Sequence, residues 1–381
     1  MSRSLRSAPP VSVLWTTPSI LAASMLIAWA AEAAQFFVAQ GVALAILAWL
    51  QTLPEFAVEA VLAWKQEVPL LLANLTGALR LLTGLGWPMI YAVAAYFHRR
   101  RTGGRLGEVR LKDEHCVEVI GLFAALAWGF VVWAKDSLDL IDAAVLIAVY
   151  GVYLWVLRRM PAAAEEDVDE LDFVPRTIVR APRRIRITAI TALFAAGGGL
   201  IYFSAEPFLA SLLAVSTSIG IPNFVFVQWV APFVSEFPEK VSAFYWARTV
   251  ERAPMALMNM VSSNINQWTL LAAMLPIVYS MSRGAVSSIP LDGQQELELV
   301  MTLGQSLLSA VFLLDMRLKW WEAAGLFGLW AVQFAFTAAV HDVITAAYFV
   351  WAAVEIVRRV FILRHPPAWK LFREMWRRHV R

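Results

Sequence analysis

"QTLPEFAVEA" (51–60) and "SEFPEKVSA" (235–243) each set a Pro-Glu pair inside a long apolar run. A proline ring has no N–H, so Pro54 cannot donate to the carbonyl of Leu50, nor Pro238 to that of Val234. In hydrocarbon a freed carbonyl is tolerated only where it faces protein, a cavity, water or an ion. The glutamate beside it costs ~3 kcal/mol at mid-membrane on insertion scales. A chain that makes this costly interruption twice is expected to use it.

The composition puts these elements in a membrane. Of 381 residues, 60% are hydrophobic and 16% charged, where a water-soluble domain carries about 25% charged. Apolar runs recur that are long enough to cross about 30 Å of hydrocarbon. They show no sustained period of two, so helices rather than a barrel satisfy the backbone. Eleven are expected, at 12–33, 36–64, 68–97, 115–135, 138–159, 187–210, 221–247, 254–281, 297–315, 320–339 and 342–362. The fold class is therefore all-α: a polytopic membrane protein with two inverted repeats of five spans and an eleventh helix.

Basic residues accumulate on the cytoplasmic side of a membrane. With the N-terminus outside, 25 of the 32 Lys and Arg fall on inward connections and in the tail. Arg3, Arg6, Lys65, Lys135 and Arg283 fall outside, while Arg80 and Lys240 lie within spans. The expected location is the plasma or inner membrane, with the C-terminus cytoplasmic. The first helix is read as retained rather than as a signal peptide, because its Glu32 has a counterpart, Glu206, in the second half. The lipid bilayer and small cations are the expected partners. The net charge of +3 gives no sign of nucleic acid, and one cysteine, Cys116, excludes an internal disulfide.

The halves repeat internally. Glu32, Pro54-Glu55, Pro69 and Asn74 answer to Glu206, Pro238-Glu239, Pro254 and Asn259, with the last proline five residues before the asparagine in both. Five helices per half force the halves to enter the membrane from opposite sides, an inverted repeat of the kind that places a transporter site between repeats. The division is residues 1–160 for the first repeat, 161–186 for a cytoplasmic linker, 187–340 for the second repeat, and 341–381 for the extra helix and a basic amphipathic tail. That tail presents Trp369, Phe372 and Trp376 on one face and is expected on the anionic inner leaflet.

Gln51, Glu55 and Glu59 share one helix face; Ser235, Glu239 and Ser242 share another, with Glu236 beside it. Asn259, Ser263 and Gln267 follow at four-residue steps, with Asn264 adjacent. These hard oxygen ligands suit Na⁺, Ca²⁺ or a proton. Taken singly, the amides and hydroxyls also suit interhelical hydrogen bonding. His341-Asp342 is read as an interfacial turn and "AAGGGL" (195–200) as small-residue packing. The chain has no nucleophile motif, P-loop or haem box, so no enzyme and no cofactor are expected.

At these residues the chain resembles the sodium/calcium exchanger (calcium:cation antiporter) family. That family carries a Gly-Thr-Ser-Leu-Pro-Glu element and a Gly-Asn-x-x-Gly-Ser-Asn element in each half. Here they read "LQTLPE" (50–55) with "ANLTGAL" (73–79), and "VSEFPE" (234–239) with "MNMVSSN" (258–264). The resemblance implies a secondary antiporter exchanging Na⁺, K⁺ or Ca²⁺ against another cation or H⁺ by alternating access. It implies Glu55 and Glu239 as principal ligands, Thr52 and Ser235 as secondary ones, Gln51 in place of a threonine, and Ser263 and Asn264 completing the second half. Ala78 and Leu79 stand where the family has Ser-Asn, and Arg80 follows directly. Arg80, Glu59 and Asn74 are thus candidate modulators, and Arg80 serves either the site or a salt bridge to Glu55, Glu59 or an acid on a neighbouring helix. An arginine among the ligands would repel Ca²⁺, which favours exchange of a monovalent cation and a proton. The alternative is a non-transporting membrane scaffold with a decayed ion site.

Overall fold

The computed structural model describes residues 8–37, 40–160, 168, 171–336, 340–359 and 367–379, with side chains at 40–44 excepted. Arg3, Arg6, the middle of the 158–186 connector and the end of the tail lie outside the described residues. The helices are α1 (Val13–Ala34), α2 (Gln40–Gln51), α3 (Leu53–Lys65), α4 (Val68–Leu81), α5 (Trp87–Thr102), α6 (Cys116–Ala134), α7 (Leu140–Leu157), α8 (Phe173–Arg180), α9 (Arg183–Ser218), α10 (Asn223–Ser235), α11 (Phe237–Ala247), α12 (Ala253–Asn266), α13 (Ala272–Arg283), α14 (Gly293–Phe312), α15 (Trp320–Ala335), α16 (His341–Val357) and α17 (Pro367–His379). Each of the eleven expected segments coincides with one of these helices or with a consecutive pair. Among the described residues, six helices are long and apolar enough to cross a membrane, and a seventh span arises if α2 and α3, bent by 51°, count as one.

The paired helices are continuous runs broken in two different ways. α2/α3 and α10/α11 break beside Pro54 and Pro238, because a proline fits the first turn of a helix but not its interior. α4 runs into α5, and α12 into α13, through five-residue π turns, Leu82–Gly86 and Gln267–Leu271. Each π turn opens eight residues after its asparagine, Asn74 or Asn259.

The chain forms two compact units that each draw on both halves of the sequence. The first comprises Met1–Ala78, Pro161–Glu239 and Met274–Ser287. Its spine is α1 against α9, through Ala23, Ile27, Ile201 and Ala205, with Leu53, Ala57 and Val61 of α3 packed on that cluster. Gly197 permits the contact, because a Cβ there would stand 2.7 Å from Ile27 Cγ1 and 3.0 Å from the Ala23 carbonyl oxygen. A buried hydrogen bond of 2.8 Å between Thr16 and Ser211 fixes the register. At 36 residues, α9 is about 54 Å long, well beyond the hydrocarbon. The segment read as a cytoplasmic linker contains α8, which buries Pro175 and Ile178 and packs on α1 and α9.

The second unit comprises Leu79–Met160, Lys240–Ala273 and Ser288–Arg381. Strand β1 (Glu108–Arg110), before α6, pairs with β4 (Arg317–Lys319), after α14; β2 (Ser137–Leu138), after α6, pairs with β3 (Ile289–Pro290), before α14. Both pairings require α6 and α14 to run antiparallel, with one ribbon at each end. Just after β2, Asp139 caps α7 by accepting from the N–H groups of Ile141 and Asp142. The Lys135 ammonium beside it holds its carboxyl below the usual range. Where α14 and α16 end and α15 begins, the buried Arg359 binds Glu322 (2.5 Å), Glu355 (3.0 Å) and Asp315 (3.1 Å) and donates to the Phe312 carbonyl. Such an ion cluster holds only while every partner is present.

The tail differs from expectation. Phe372 and Trp376 of α17 line a cleft with Val117, Val149 and Tyr153 of α6 and α7, and Trp376 meets Trp155 at 6.1 Å between rings. Part of the face read as lipid-bound therefore packs on protein, while Trp369 and the basic Lys370, Arg373 and Arg377 stay exposed.

In the first unit, α4 and α10 approach so closely at Gly77 that a Cβ would lie 1.8 Å from the backbone oxygen of Gln228. Replacement by valine must push the two helices apart. We expect Gly77→Val to lower stability by at least about 2 kcal/mol, read as a lower melting temperature in detergent, and an unchanged melting temperature would refute the contact.

Candidate functional site

The two Pro-Glu elements share a backbone device. Thr52 and Glu236, each two residues before its proline, sit at φ −86°, ψ −1° and φ −91°, ψ 1°. This is the sparsely used bridge region where many active-site residues are found. The Thr52 carbonyl accepts from the N–H groups of both Glu55 (3.0 Å) and Phe56 (3.1 Å), and its hydroxyl donates to the Trp49 carbonyl at 2.9 Å. In the second half the Glu236 N–H donates to the Pro232 carbonyl at 2.9 Å and the Ser235 hydroxyl to the same oxygen at 3.3 Å. Each break stops one helix and starts the next with a glutamate in its first turn, where the helix dipole favours an anion.

The first unit holds both elements. Glu55, Glu239 and Glu236 are at most 2% exposed, Glu59 is fully enclosed, and Gln51, Thr52, Ser235 and Asn74 are buried with them. The Asn74 amide donates to Glu59 Oε1 at 2.9 Å, while Glu59 Oε2 and Asn74 Oδ1 have no hydrogen-bond partner among the described residues. Four acids thus lie in the interior of one unit on two broken helices. Glu206, the counterpart of Glu32, pairs with Lys65 at 2.7 Å.

The second unit holds Asn259, Ser263 and Asn264, all with no exposure to solvent. Ser263 Oγ and both amide atoms of Asn264 lack a hydrogen-bond partner among the described residues. Buried polar atoms left unpaired cost about 1–3 kcal/mol each, and a cation with its water would supply what they lack. Among the described residues no three His, Cys, Asp or Glu side chains converge as a metal cage.

Arg80 pairs with an acid on a neighbouring helix. Its Nη2 is 2.6 Å from Glu298 Oε2 on α14, and both are buried. Gln305 supports the pair, donating to the Arg80 carbonyl (2.8 Å) and Thr83 (2.7 Å) and accepting from Tyr348 at 3.0 Å. The repulsion expected of a bare arginine is thus offset by its own carboxylate. His341-Asp342, read as an interfacial turn, opens α16. Asp342 points outward, whereas His341 Nε2 stands 3.9 Å from Glu298 Oε1. Sequence reasoning passed over Glu298 and Gln305. The signal was present as a carboxylate and an amide inside an apolar run, but a partner on another helix has no signature in linear spacing.

The profile of the family described as "Sodium/calcium exchanger protein" matches residues 9–158 and 189–339. Among solved structures, the H⁺/Ca²⁺ exchanger CAX is similar at 33% identity and TM-score 0.88, over 97% of this chain and 92% of that one. The exchanger NCX_Mj soaked with 10 mM Na⁺ and 10 mM Sr²⁺ matches at 18% identity and TM-score 0.57, over 86% of this chain and 97% of that one. Native YfkE matches at 14% identity and TM-score 0.60, over 89% and 92%. At such identities the last two speak for the fold alone. No curated protein matches the chain.

The Arg80–Glu298 pair makes a two-step prediction. Arg80→Met leaves a buried carboxylate alone and should cost about 3–5 kcal/mol, whereas Arg80→Met with Glu298→Leu should recover most of it. Thermal melts of both variants in detergent check this. Equal losses in the single and the double variant would contradict it.

Proposed function

The chain belongs to the sodium/calcium exchanger family and is a secondary cation antiporter, and from that premise we propose that the two Pro-Glu elements bind its cargo. Glu55 and Glu239 are the principal ligands, with Gln51, Thr52, Ser235 and Glu236 beside them. Asn259, Ser263 and Asn264 supply further oxygens, and Asn74 and Glu59 tune the charge. The reading is carried by one observation, four carboxylates buried inside a single compact unit on two helices broken at matching positions. Carboxylates in such a place alternate between binding a proton and binding a metal cation, since each neutralises the same charge.

The exchanged species are a proton on one side of the cycle and Ca²⁺, Na⁺ or K⁺ on the other. The similarity at 33% identity to a protein described as an H⁺/Ca²⁺ exchanger supports the proton and puts Ca²⁺ first. The pairing of Arg80 with Glu298 removes the main argument against a divalent ion. The loss of Ser-Asn at Ala78 and Leu79 keeps Na⁺ and K⁺ in the test. No cofactor and no enzymatic step belong to this reading.

Two inverted five-helix repeats with an eleventh helix, α16, form the frame. The matched breaks, the matched π turns and a family match in two blocks of similar length support that arrangement. So do the two ribbons, because exchanging the halves turns the β1–β4 pairing into β3–β2. The basic 98–112 loop supports a cytoplasmic position for the β1–β4 end.

In proteoliposomes carrying imposed pH, Ca²⁺, Na⁺ and K⁺ gradients, the wild type should move a cation against protons. Glu55→Gln and Glu239→Gln should each lower that flux at least about a hundredfold, the loss expected when a buried charged ligand is removed. Flux of wild-type size in either variant would refute the ligand assignment. In a Cys116→Ser background, Arg105→Cys should react with an impermeant maleimide only from the cytoplasmic side; labelling from outside would reverse the topology.

A further inference from the structure

The cleft between α6 and α7 in the second unit is made from one stripe of each helix. Val117, Gly121 and Ala124 line it from α6, and Val145, Val149 and Val156 from α7, all at the helical spacing that shares a face. At 1.5 Å per residue it follows α6 for about 10 Å and α7 for about 16 Å. Its volume of about 340 Å³ falls within the range of small-molecule sites. Among the described residues, no charged side chain lines it. Ala124, Ala148 and Val152 on its flank are exposed, so it opens sideways rather than into the protein. On a transporter in a bilayer that flank meets acyl chains. Water finds too few polar partners between such walls to fill them.

Helix α17 closes one end, where α6 begins and α7 stops. Phe372 and Trp376 enter the lining there. They belong to a row of rings, with 6.1 Å from Trp155 to Trp376, 5.8 Å from Trp376 to Phe372 and 6.4 Å from Phe372 to Trp369. The Arg159 guanidinium lies over Trp155 at 4.3 Å from the ring centre and puts a positive charge at the end of that row.

More positive charge flanks the same end. Lys370, Arg373 and Arg377 share a second face of α17, one residue round from Phe372 and Trp376. All three are exposed, as are Arg378 and, at the end of α7, Arg158 and Arg159. Against them stand Glu374 on the same helix and Asp113 and Glu114 in the turn on which α17 packs. Asp315, in the other turn that α17 touches, is held by Arg359 at 3.1 Å. Positive charge predominates at the mouth of an apolar cleft.

A ligand that suits both parts has a long hydrocarbon chain and a negative head. A free anion would answer the arginines and leave the cleft unfilled. A zwitterionic lipid would fill the cleft but bring a positive group against the arginines. We propose that the α6–α7 cleft binds one anionic phospholipid, with an acyl chain along the groove and the phosphate on Arg373 and Arg377. Arginine suits that role because its planar fork meets phosphate oxygens with two hydrogen bonds. A bound lipid of this kind fastens α17 to α6 and α7. It differs from the general attraction of a basic tail to a negative leaflet, which needs no cleft. The site stands apart from the Pro-Glu elements and does not depend on the cation ligands assigned there.

The test uses the full-length protein in dodecyl maltoside, with dioleoyl phosphatidylglycerol and dioleoyl phosphatidylcholine added at equal mole fraction. Melting temperatures are read for the wild type, for Ala148→Phe, and for Arg373→Gln combined with Arg377→Gln. The wild type should gain at least about 4 °C more from phosphatidylglycerol than from phosphatidylcholine, as a ligand bound only by the folded state produces. Ala148→Phe fills the groove and leaves every arginine in place, and it should lose that difference. The double variant leaves the groove open and should respond alike to both lipids. Native mass spectrometry should show phosphatidylglycerol retained by the wild type and by neither variant. Equal shifts from the two lipids in the wild type would overturn the proposal. So would a preference for phosphatidylglycerol that survives in Ala148→Phe, since it would mark a basic surface and not a seated chain. Glycerol phosphate giving the full wild-type shift would also overturn it, by showing a site for phosphate alone. All the substituted positions are exposed, and if Ala148→Phe still fails to fold, the double variant and the glycerol phosphate control decide.

Discussion

A carboxylate kept inside a membrane protein must have its charge balanced, and this chain balances its buried acids in three different ways. Glu298 has a permanent partner in Arg80. Glu322 and Glu355 share Arg359. Glu59 receives only a neutral amide from Asn74 and keeps one oxygen without a hydrogen bond. Arginine partners make charge a structural element, because neither side of the pair can leave without a penalty of several kcal/mol. A neutral partner leaves room for a proton or a metal ion. The division between rigid and exchangeable charge follows from that difference.

Broken helices place the buried acids of the first unit. At Thr52 and Glu236 the backbone leaves the helix for one residue and re-enters it behind a proline, so each glutamate opens a helix rather than sitting in the middle of one. This gives each acid the positive dipole end of a helix. Two halves of the sequence contribute such a break to the same compact unit. The second unit carries the Arg80 and Arg359 ion pairs and the two short ribbons that tie α6 to α14.

Much of this was legible in the residues. Hydrophobic run length located all eleven helical segments, since the need to close backbone hydrogen bonds in lipid leaves few options. The Pro-Glu pairs announced the breaks, because proline's missing N–H is a local fact. Long-range pairing was not legible. Arg80 was seen to need an acid, but Glu298 is 218 positions away and nothing in the spacing chooses it over Glu55 or Glu59. The destination of α17 was hidden for a related reason: an aromatic face at helical spacing suits lipid or protein equally, and only the cleft lined by Val117, Val149 and Tyr153 shows what covers part of it. Helix α8 escaped notice because eight residues with two buried positions are too few for a periodic signal.

The account turns on Glu55 and Glu239 acting as one cation site. Equilibrium titration of the purified protein with Ca²⁺ and with Na⁺ tests this most directly, using the two single glutamine variants and their combination. If the carboxylates share an ion, the double variant should bind no more weakly than either single one, because the first substitution already destroys the site. Losses that simply add, each removing a separate binding event, would contradict a shared site and with it the mechanism built upon it.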